Sequence, residues 1–507
     1  MAKTFCPYEP DQMLLMPPSL ADWVPEDHLA RFVRDVVDTL DLTAIEATYT
    51  EERGYPPYHP RMMVAVLLYA YATGTYSSRK MARRVVEDVA MRFLAAGNQP
   101  DFRTLSDFRK RHSAALASLF TQGLRLCRRA GLVKLGQVAI DGTRVKANAS
   151  KHKAMSYGRM TEQEAGLQAE IAERLRRAEQ ADRDEDARYG ADRRGDELPA
   201  ELARRESRLQ KIREAKAALE AEAREQAAQS GKEPDQAAPA PKAQRNFTDP
   251  DSKIQKTADG FIQGYNAQAA VDAHAQVIVA QDVTPMAADV GQLLPQVTAI
   301  GRTLQQRPRQ VLADAGYCSE ANLDQLERRG IDAYIATGRQ THGERLAPAP
   351  RGRPPAGLTR REQMARKLRT LAGRAVYARR KAMVEPVFGQ IKHARRFRQF
   401  LRRGWTAVRH EWALICTVHN LLKLHTAGAW PSSAGRPRGA GLGLRWRPRC
   451  GSPVRRGGVI SIHDRHPLIH PRPVSSVAPL LGRTPSPDWG DSAPRCHRSR
   501  KPKRRAR

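Results

Sequence analysis

The sequence predicts an α/β protein: a mixed sheet flanked by helices, behind an all-helical region and ahead of a basic tail with no fold of its own. Three observations carry that expectation. Apolar residues recur at helical spacing through about the first 130 residues. From Gly136 the spacing changes to two, in β-branched runs. Between Gly136 and Ala336 the segments run strand, strand, strand, helix, strand, helix, which is the order of a sheet with helices packed on its faces.

The chain begins irregularly, with Pro17-Pro18. An amphipathic stretch follows from Glu26 to Leu42, where His28, Phe32, Val36 and Leu40 recur every four residues and Leu29 and Val33 widen the stripe. After Gly54-Tyr-Pro-Pro-Tyr-His-Pro60, the apolar run Arg61 to Ala72 reads as a buried helix. Ser77-Ser78 caps a basic helix from Arg79 to about Ala96, and Gly97-Asn-Gln-Pro100 stops it. Thr104-Leu-Ser-Asp107 reads as a capping box for the next helix. Two capped helices around a Gly/Pro turn, with Arg79, Lys80, Arg83, Arg84, Arg109, Lys110 and Arg111 facing out, resemble a loose helix-turn-helix. The turn is longer than the usual three or four residues, so a DNA-reading pair and a merely solvated basic face both fit.

Gln137 to Ala147 alternates and reads as a hairpin with Gly142 at its bend. Residues 161–228 are rich in Ala, Glu and Arg, and Leu202, Leu209, Ile212, Ala215 and Leu219 share one helical face. The segment reads as a charged helical hairpin or short coiled coil. Its nearly balanced charge suits a solvated spacer or a dimer contact. Pro234 to Pro241 is a linker. Gly264–Asp272 and Gln276–Val283 are strands joined by Ala-His-Ala, followed by a helix near Ala288–Leu304 and a strand ending at Asp314. The helix Ser319–Arg329 and the strand Ala333–Ala336 come next. Pro348–Arg366 reads as a basic, Pro-rich loop, and Trp405–His425 as a final amphipathic helix. Beyond Ala429, Pro, Gly, Ser and Arg dominate without apolar periodicity. Such a segment buries too little surface to offset its ordering entropy, and disorder is expected. The expected divisions are 1–130, 136–160, 161–240, 241–428 and 429–507.

Composition narrows the partners. The formal net charge of +32 points to a polyanion, although roughly half of the excess lies beyond Trp430, where a basic tail alone would account for it. The six cysteines show no C-x-x-C, and Cys416 with His419 lacks a second pair of ligands, so neither a disulfide framework nor structural zinc is implied. The N-terminus has no signal-peptide core, and the most apolar run, Met62 to Ala72, is too short to span a bilayer. A soluble, cytoplasmic protein is expected.

Tyr377-Ala-Arg-Arg380-Lys-Ala-Met-Val-Glu385-Pro-Val-Phe-Gly-Gln-Ile-Lys392 places one acid on a helix crowded with cations. A site that holds divalent metal against a polyanion needs that arrangement. Val138-Ala-Ile-Asp141 and Val311-Leu-Ala-Asp314 supply carboxylates at the ends of apolar strands. Together Asp141, Asp314 and Glu385 fit a site for two Mg²⁺ ions in phosphoryl transfer on nucleic acid, with Mn²⁺ able to substitute. In that site Asp141 bridges the ions, Asp314 completes one and Glu385 the other. Lys392, two turns beyond Glu385, is within reach of a terminal phosphate, and Lys381 shares its face. Each acid also has a plain alternative. An Asp at a Gly is commonly a turn residue, Glu385 can pair with Lys381, and Asp272 competes by position alone.

Several segments resemble bacterial insertion-sequence transposases of the DDE class, the branch with an N-terminal helical transposase domain and a ribonuclease-H-like core. They are Pro60-Arg-Met-Met-Val with Gly74-Thr-Tyr-Ser-Ser-Arg79, Ile140-Asp-Gly-Thr, Gly264 to Asp272, Ala313-Asp-Ala-Gly-Tyr317, and Val384-Glu-Pro-Val-Phe-Gly-Gln-Ile-Lys392. The resemblance spans about residues 10–425 and selects Asp141, Asp314 and Glu385 as the metal-binding acids. It implies binding of the element's inverted repeats and of target DNA, cleavage and strand transfer, assembly as a homodimer or larger on DNA, and a nucleoid-associated location. Tyr377, Arg380, Lys381 and Lys392, with Arg79, Arg83 and Arg84 upstream, are its expected DNA contacts. Glu385 and Lys392 keep the signature spacing of related transposases, but Arg380 sits one residue too far upstream. Residues 161–228 would be an insertion between the first and second core strands. A catalytically inactive DNA-binding derivative and a purely hydrolytic nuclease of the same fold are the alternatives.

Overall fold

The computed structural model describes residues 19–50, 56–189, 200–229, 233, 237–257, 260–338, 348–428 and 430. The expected tail beyond 429, the turn of the helical hairpin and part of the linker at Pro234 lie outside them. Trp430 is described, and packs edge-on against Phe32.

Ahead of the sheet run α1 (Leu29–Thr39), α2 (Thr43–Glu46), α3 (Pro60–Ala72), α4 (Ser78–Glu87), α5 (Val89–Leu94), α6 (Phe102–Arg111) and α7 (Ser113–Arg129). The stripe of α1 buries Phe32, Val33, Val36 and Val37, but His28 is its N-cap and accepts from the Ala30 amide through Nδ1. The basic helix expected to reach Ala96 breaks at Asp88. There the backbone turns extended, and the carboxylate caps α5 by accepting from the Ala90 and Met91 amides. Thr104 to Asp107 is no capping box. Asp101 starts α6 three residues earlier, accepting from the Thr104 amide at 3.0 Å.

The strands are β1 (Gln137–Lys146), β2 (Ala154–Ser156), β3 (Gln244–Asn246), β4 (Lys253–Thr257), β5 (Gly260–Asp272), β6 (Ile278–Thr284), β7 (Gln310–Ala313) and β8 (Asp332–Ile335). In the main sheet β6 lies antiparallel to β5, β5 antiparallel to β1, β7 parallel to β1, and β8 parallel to β7. β4 pairs with the first half of β5. The expected hairpin at Gly142 is instead one straight strand, with Gly142 opposite Gln268. Gly142 is required for close approach, not for a bend. A Cβ there would stand 2.6 Å from Asn266 Oδ1 and 2.9 Å from Asp289 Oδ1.

Between β1 and β5 the chain makes α8 (Tyr157–Tyr189) and α9 (Ala200–Gln229), rooted on the β2–β3 pair. Ile212, Ala215 and Leu219 bury against Met160, and Glu164 of α8 receives Arg213 and Lys216 of α9. After β6 come α10 (Leu293–Leu304), then β7, α11 (Glu320–Arg328), β8, α12 (Arg360–Arg369), α13 (Leu371–Gly389) and α14 (Trp405–Thr426). A 3₁₀ turn at Val290–Gln292 delays α10 beyond its expected start. Thr359 and Glu362 form a capping box that turns the end of the expected Pro-rich loop into α12. α14 is not amphipathic in the expected sense, because it is buried almost all round. It packs against α7 on one side and β6 on the other, and one hydrophobic core runs from α1 through the sheet to α14.

Candidate active site

Pairing between β1 and β7 ends at Ile140 opposite Ala313, so Asp141 and Asp314 follow side by side at that point of the sheet. Asp141 Oδ1 accepts from the adjacent Gly142 amide at 2.8 Å within the strand, and Asp314 caps a 3₁₀ turn, its Oδ1 accepting from Gly316 at 2.9 Å. Asp141 is largely buried. Burial pushes its carboxyl up to about 6; Arg380 opposes that rise and Asp314 adds to it.

The partner of Asp141 comes from α13, which packs across β1, β5, β7 and β8. Arg380 Nη1 donates to Asp141 Oδ2 at 2.8 Å, and Arg380 Nε is buried without a partner. The Tyr377 ring lies 6.0 Å from the Arg380 guanidinium, and burial pushes its hydroxyl up. Further along, Pro386 has no N–H for the Ala382 carbonyl, and the Gln276 side chain donates to that carbonyl instead, at 3.1 Å. The helix then loosens into a π-helical turn, Gln390–Ala394, from which Lys392 Nζ donates to Thr143 Oγ1 (2.8 Å) and the Arg144 carbonyl (2.9 Å).

Glu385 and Lys381 are both exposed, and Glu385 makes no hydrogen bond or ion pair among the described residues. Five residues separate Arg380 from Glu385, which is about 140° around a helix of 3.6 residues per turn. The two cannot face β1 together, and here Arg380 does. Among the described residues no three acidic, His or Cys side chains converge as metal ligands. Asp272, the competing strand acid, is fully engaged: its carboxylate accepts from the backbone amides of Leu135 (2.7 Å) and His274 (2.8 Å).

A further acid stands at the site that pattern reading passed over. The sequence predicts a helix near Ala288–Leu304 that would include Asp289, but this residue lies in the β6–α10 connection. Its Oδ1 accepts from Asn266 Nδ2 (2.6 Å) and Gln268 Nε2 (2.8 Å), and Arg144 Nη2 lies 3.4 Å from its Oδ2. Gln268 in turn accepts from the Tyr317 hydroxyl. The available signal is Asn266 and Gln268 themselves, two polar residues at alternate positions of the run Tyr265-Asn-Ala-Gln-Ala-Ala-Val271.

On the N-terminal helices, Arg79 stacks over Phe102 and Arg83 pairs with Glu87, both exposed. Arg84 is committed inward, donating to the Thr73 and Thr75 hydroxyls (2.7 and 2.8 Å) and pairing with Asp88. Arg109 likewise donates to Tyr76 O and Ser78 Oγ. No helix among the described residues is long and apolar enough to cross a membrane.

Residues 18–111 match the family described as a transposase domain, and residues 235–421 the family described as a transposase DDE domain. A Burkholderia cepacia protein named as transposase for insertion sequence element IS402 is 45% identical over 78 residues, 12% of this chain and 36% of that protein. The matched region thus spans about a third of that relative's length. No solved structure matches the chain. Asp289, Asp314, Glu385 and Lys392 fall within the second matched segment, and Asp141 ahead of it.

Proposed function

Since the chain belongs to the bacterial insertion-sequence transposases of the DDE class, we propose that it binds its element's terminal repeats and catalyses metal-dependent cleavage and strand transfer of DNA. The reading is carried by Asp141 on β1 and Asp314 just past the end of β7, side by side, under a helix that bears a third acid. The strand order β6-β5-β1-β7-β8, with three antiparallel strands and then two parallel to β1, supports a ribonuclease-H-like core.

The site suits a hard cation. Its donors are carboxylate oxygens, glycines 142 and 316 let polar oxygens approach the backbone beside both aspartates more closely than a side chain would allow, and the buried Asn266 Oδ1 has no partner. Asp141, Asp314 and Glu385 would hold Mg²⁺, which when bound supplies an activated water or 3′-hydroxyl and neutralises the leaving oxygen. Arg380 occupies Asp141 without it. Glu385 reaches the aspartates once α13 turns and withdraws Arg380, which leaves behind a guanidinium position that is only half satisfied. The π-helical turn at Gln390–Ala394 is a place where such a turn of the helix can be absorbed. Lys392 and the exposed Arg79 and Arg83 would meet DNA phosphates, and a homodimer or larger assembly would bring two DNA ends together in the bacterial cytoplasm.

The outward Glu385 favours a second reading, a transposase-derived DNA-binding protein without catalysis. Incubation of the purified protein with Mg²⁺ and a duplex carrying the inverted repeats that flank its gene separates the readings. Cleavage and joining support the first, binding without cleavage the second, and cleavage without joining a hydrolytic nuclease. Asp141→Asn, Asp314→Asn and Glu385→Gln should each abolish cleavage and spare binding; cleavage near the parent's rate by any one removes that residue from the site.

A further inference from the structure

We propose that Asp289 is a further carboxylate ligand of the cation site, joined by the carboxamide oxygen of Asn266. The inference rests on the metal-dependent reading above and adds residues to it.

The two oxygens of Asp289 have different surroundings. Oδ1 takes both amide donors, Asn266 Nδ2 and Gln268 Nε2, which fix the direction of the carboxylate. Oδ2 has only the long contact to Arg144. That oxygen lies 3.3 Å from the point where a Cβ on Gly316 would stand, and Asp314 Oδ1 lies 3.1 Å from the same point. The two carboxylates therefore address one small space, which Gly316 leaves empty. On the other side, Asn266 is fully buried, its Oδ1 has no hydrogen-bond partner, and it lies close against Gly142 beside Asp289 Oδ1. A buried amide oxygen without a donor is costly, and a cation is a partner that a purely apolar or carboxylate neighbour cannot replace.

Charge leads the same way. Asp141 and Asp314 end the pairing of adjacent strands and Asp289 stands across Gly316 from Asp314; of the nearby cations, Arg380 is spent on Asp141 and Arg144 is 3.4 Å from Asp289. Asp314 has no ion pair within 4 Å among the described residues. A divalent cation between Asp314 Oδ1 and Asp289 Oδ2 would relieve that excess. The glycines after both aspartates let Asp289 come close enough to take part.

Asp289→Asn tests this cleanly, because its remaining oxygen can keep both amide hydrogen bonds while only Oδ2 is replaced. Binding of Mn²⁺ alone to the full chain is followed by the loss of the free-ion electron paramagnetic resonance signal, with thermal unfolding in EDTA as a check on the fold. The expected result is at least tenfold weaker Mn²⁺ binding by Asp289→Asn, with metal-free unfolding within a few degrees of the parent. Parent-like Mn²⁺ affinity in Asp289→Asn, while Asp141→Asn and Asp314→Asn lose it, overturns the role of Asp289 and leaves the metal site standing. If the parent binds no Mn²⁺, or Asp141→Asn binds as the parent does, the metal site itself is wrong and this inference falls with it. If Asp289→Asn unfolds far below the parent, Asn266→Leu decides: it deletes the unpartnered oxygen, and unchanged Mn²⁺ affinity there also overturns the proposal.

Discussion

Without a cation, Asp141 stands where its own charge is disfavoured, and the protein's stability should record that. Burial pushes its carboxyl from an ordinary 3.8 up to about 6, with Arg380 opposing the rise and Asp314 adding to it. An acid raised in this way binds its proton more tightly in the folded than in the unfolded chain. Its contribution to stability is full below about pH 3.8 and is lost as pH rises through 6. A single shift of this size amounts to about 3 kcal/mol in all, of which about 1.4 kcal/mol falls between pH 5 and 7.5. Asp141→Asn has no such proton to lose. Its Asn leaves Arg380 unpaired, a cost that does not change with pH across this window and so cancels in the comparison. Urea unfolding in EDTA, at about pH 5 and again at about pH 7.5, should show the variant gaining about 1.4 kcal/mol on the parent between the two. Adding Mg²⁺ at the higher pH should then stabilise the parent and leave the variant where it was. A parent–variant difference that is flat with pH would show Asp141 to be ordinarily solvated, and the reasoning from burial would fail.

Replacing Arg79, Lys80 and Arg83 together with Ala should lower the salt dependence of duplex binding by up to about 0.9 in slope per lost phosphate contact; an unchanged slope in a filter-binding series makes the face merely solvated. Arg84 is left in place because it braces Thr73, Thr75 and Asp88, and Arg84→Ala should cost thermal stability instead. Gly142→Ala should destabilise by about 1–3 kcal/mol by thermal denaturation, since its Cβ would meet Asn266 and Asp289 below 3.0 Å; an unaltered melting temperature would mean that β1 yields. Asp272→Asn should cost on the order of 1–3 kcal/mol through the amides it caps, yet cleave DNA at the parent's rate once folded; loss of cleavage in a folded variant would return Asp272 to the list of candidate ligands.

How far the sequence could be read follows from the range of the forces involved. The strands around Asp272 and Asp314 were legible because alternation and β-branching are local, and the register that sets Asp141 beside Asp314 continues from Ile140 opposite Ala313. Gly142 was misread as a bend because its reason lies far along the chain, in Asn266 and in Asp289 of a distant connection. α14 looked amphipathic because the sequence cannot say that α7 will cover the face turned away from β6. Asp289 was passed over for the same cause: nothing within ten residues of it marks it, and only the sheet brings Gln268 and Asn266 to its carboxylate. Glu385 is the reverse case. Its motif is local and clear, but a five-residue step from Arg380 turns it away from β1 while that arginine holds Asp141. On the proposed reading its entry is conditional on the departure of Arg380, so arginine and cation compete for one position beside Asp141, and Glu385 would join only with the cation. A site assembled by such an exchange holds its charge balance before the cation arrives, and loses it only when the cation can replace the guanidinium.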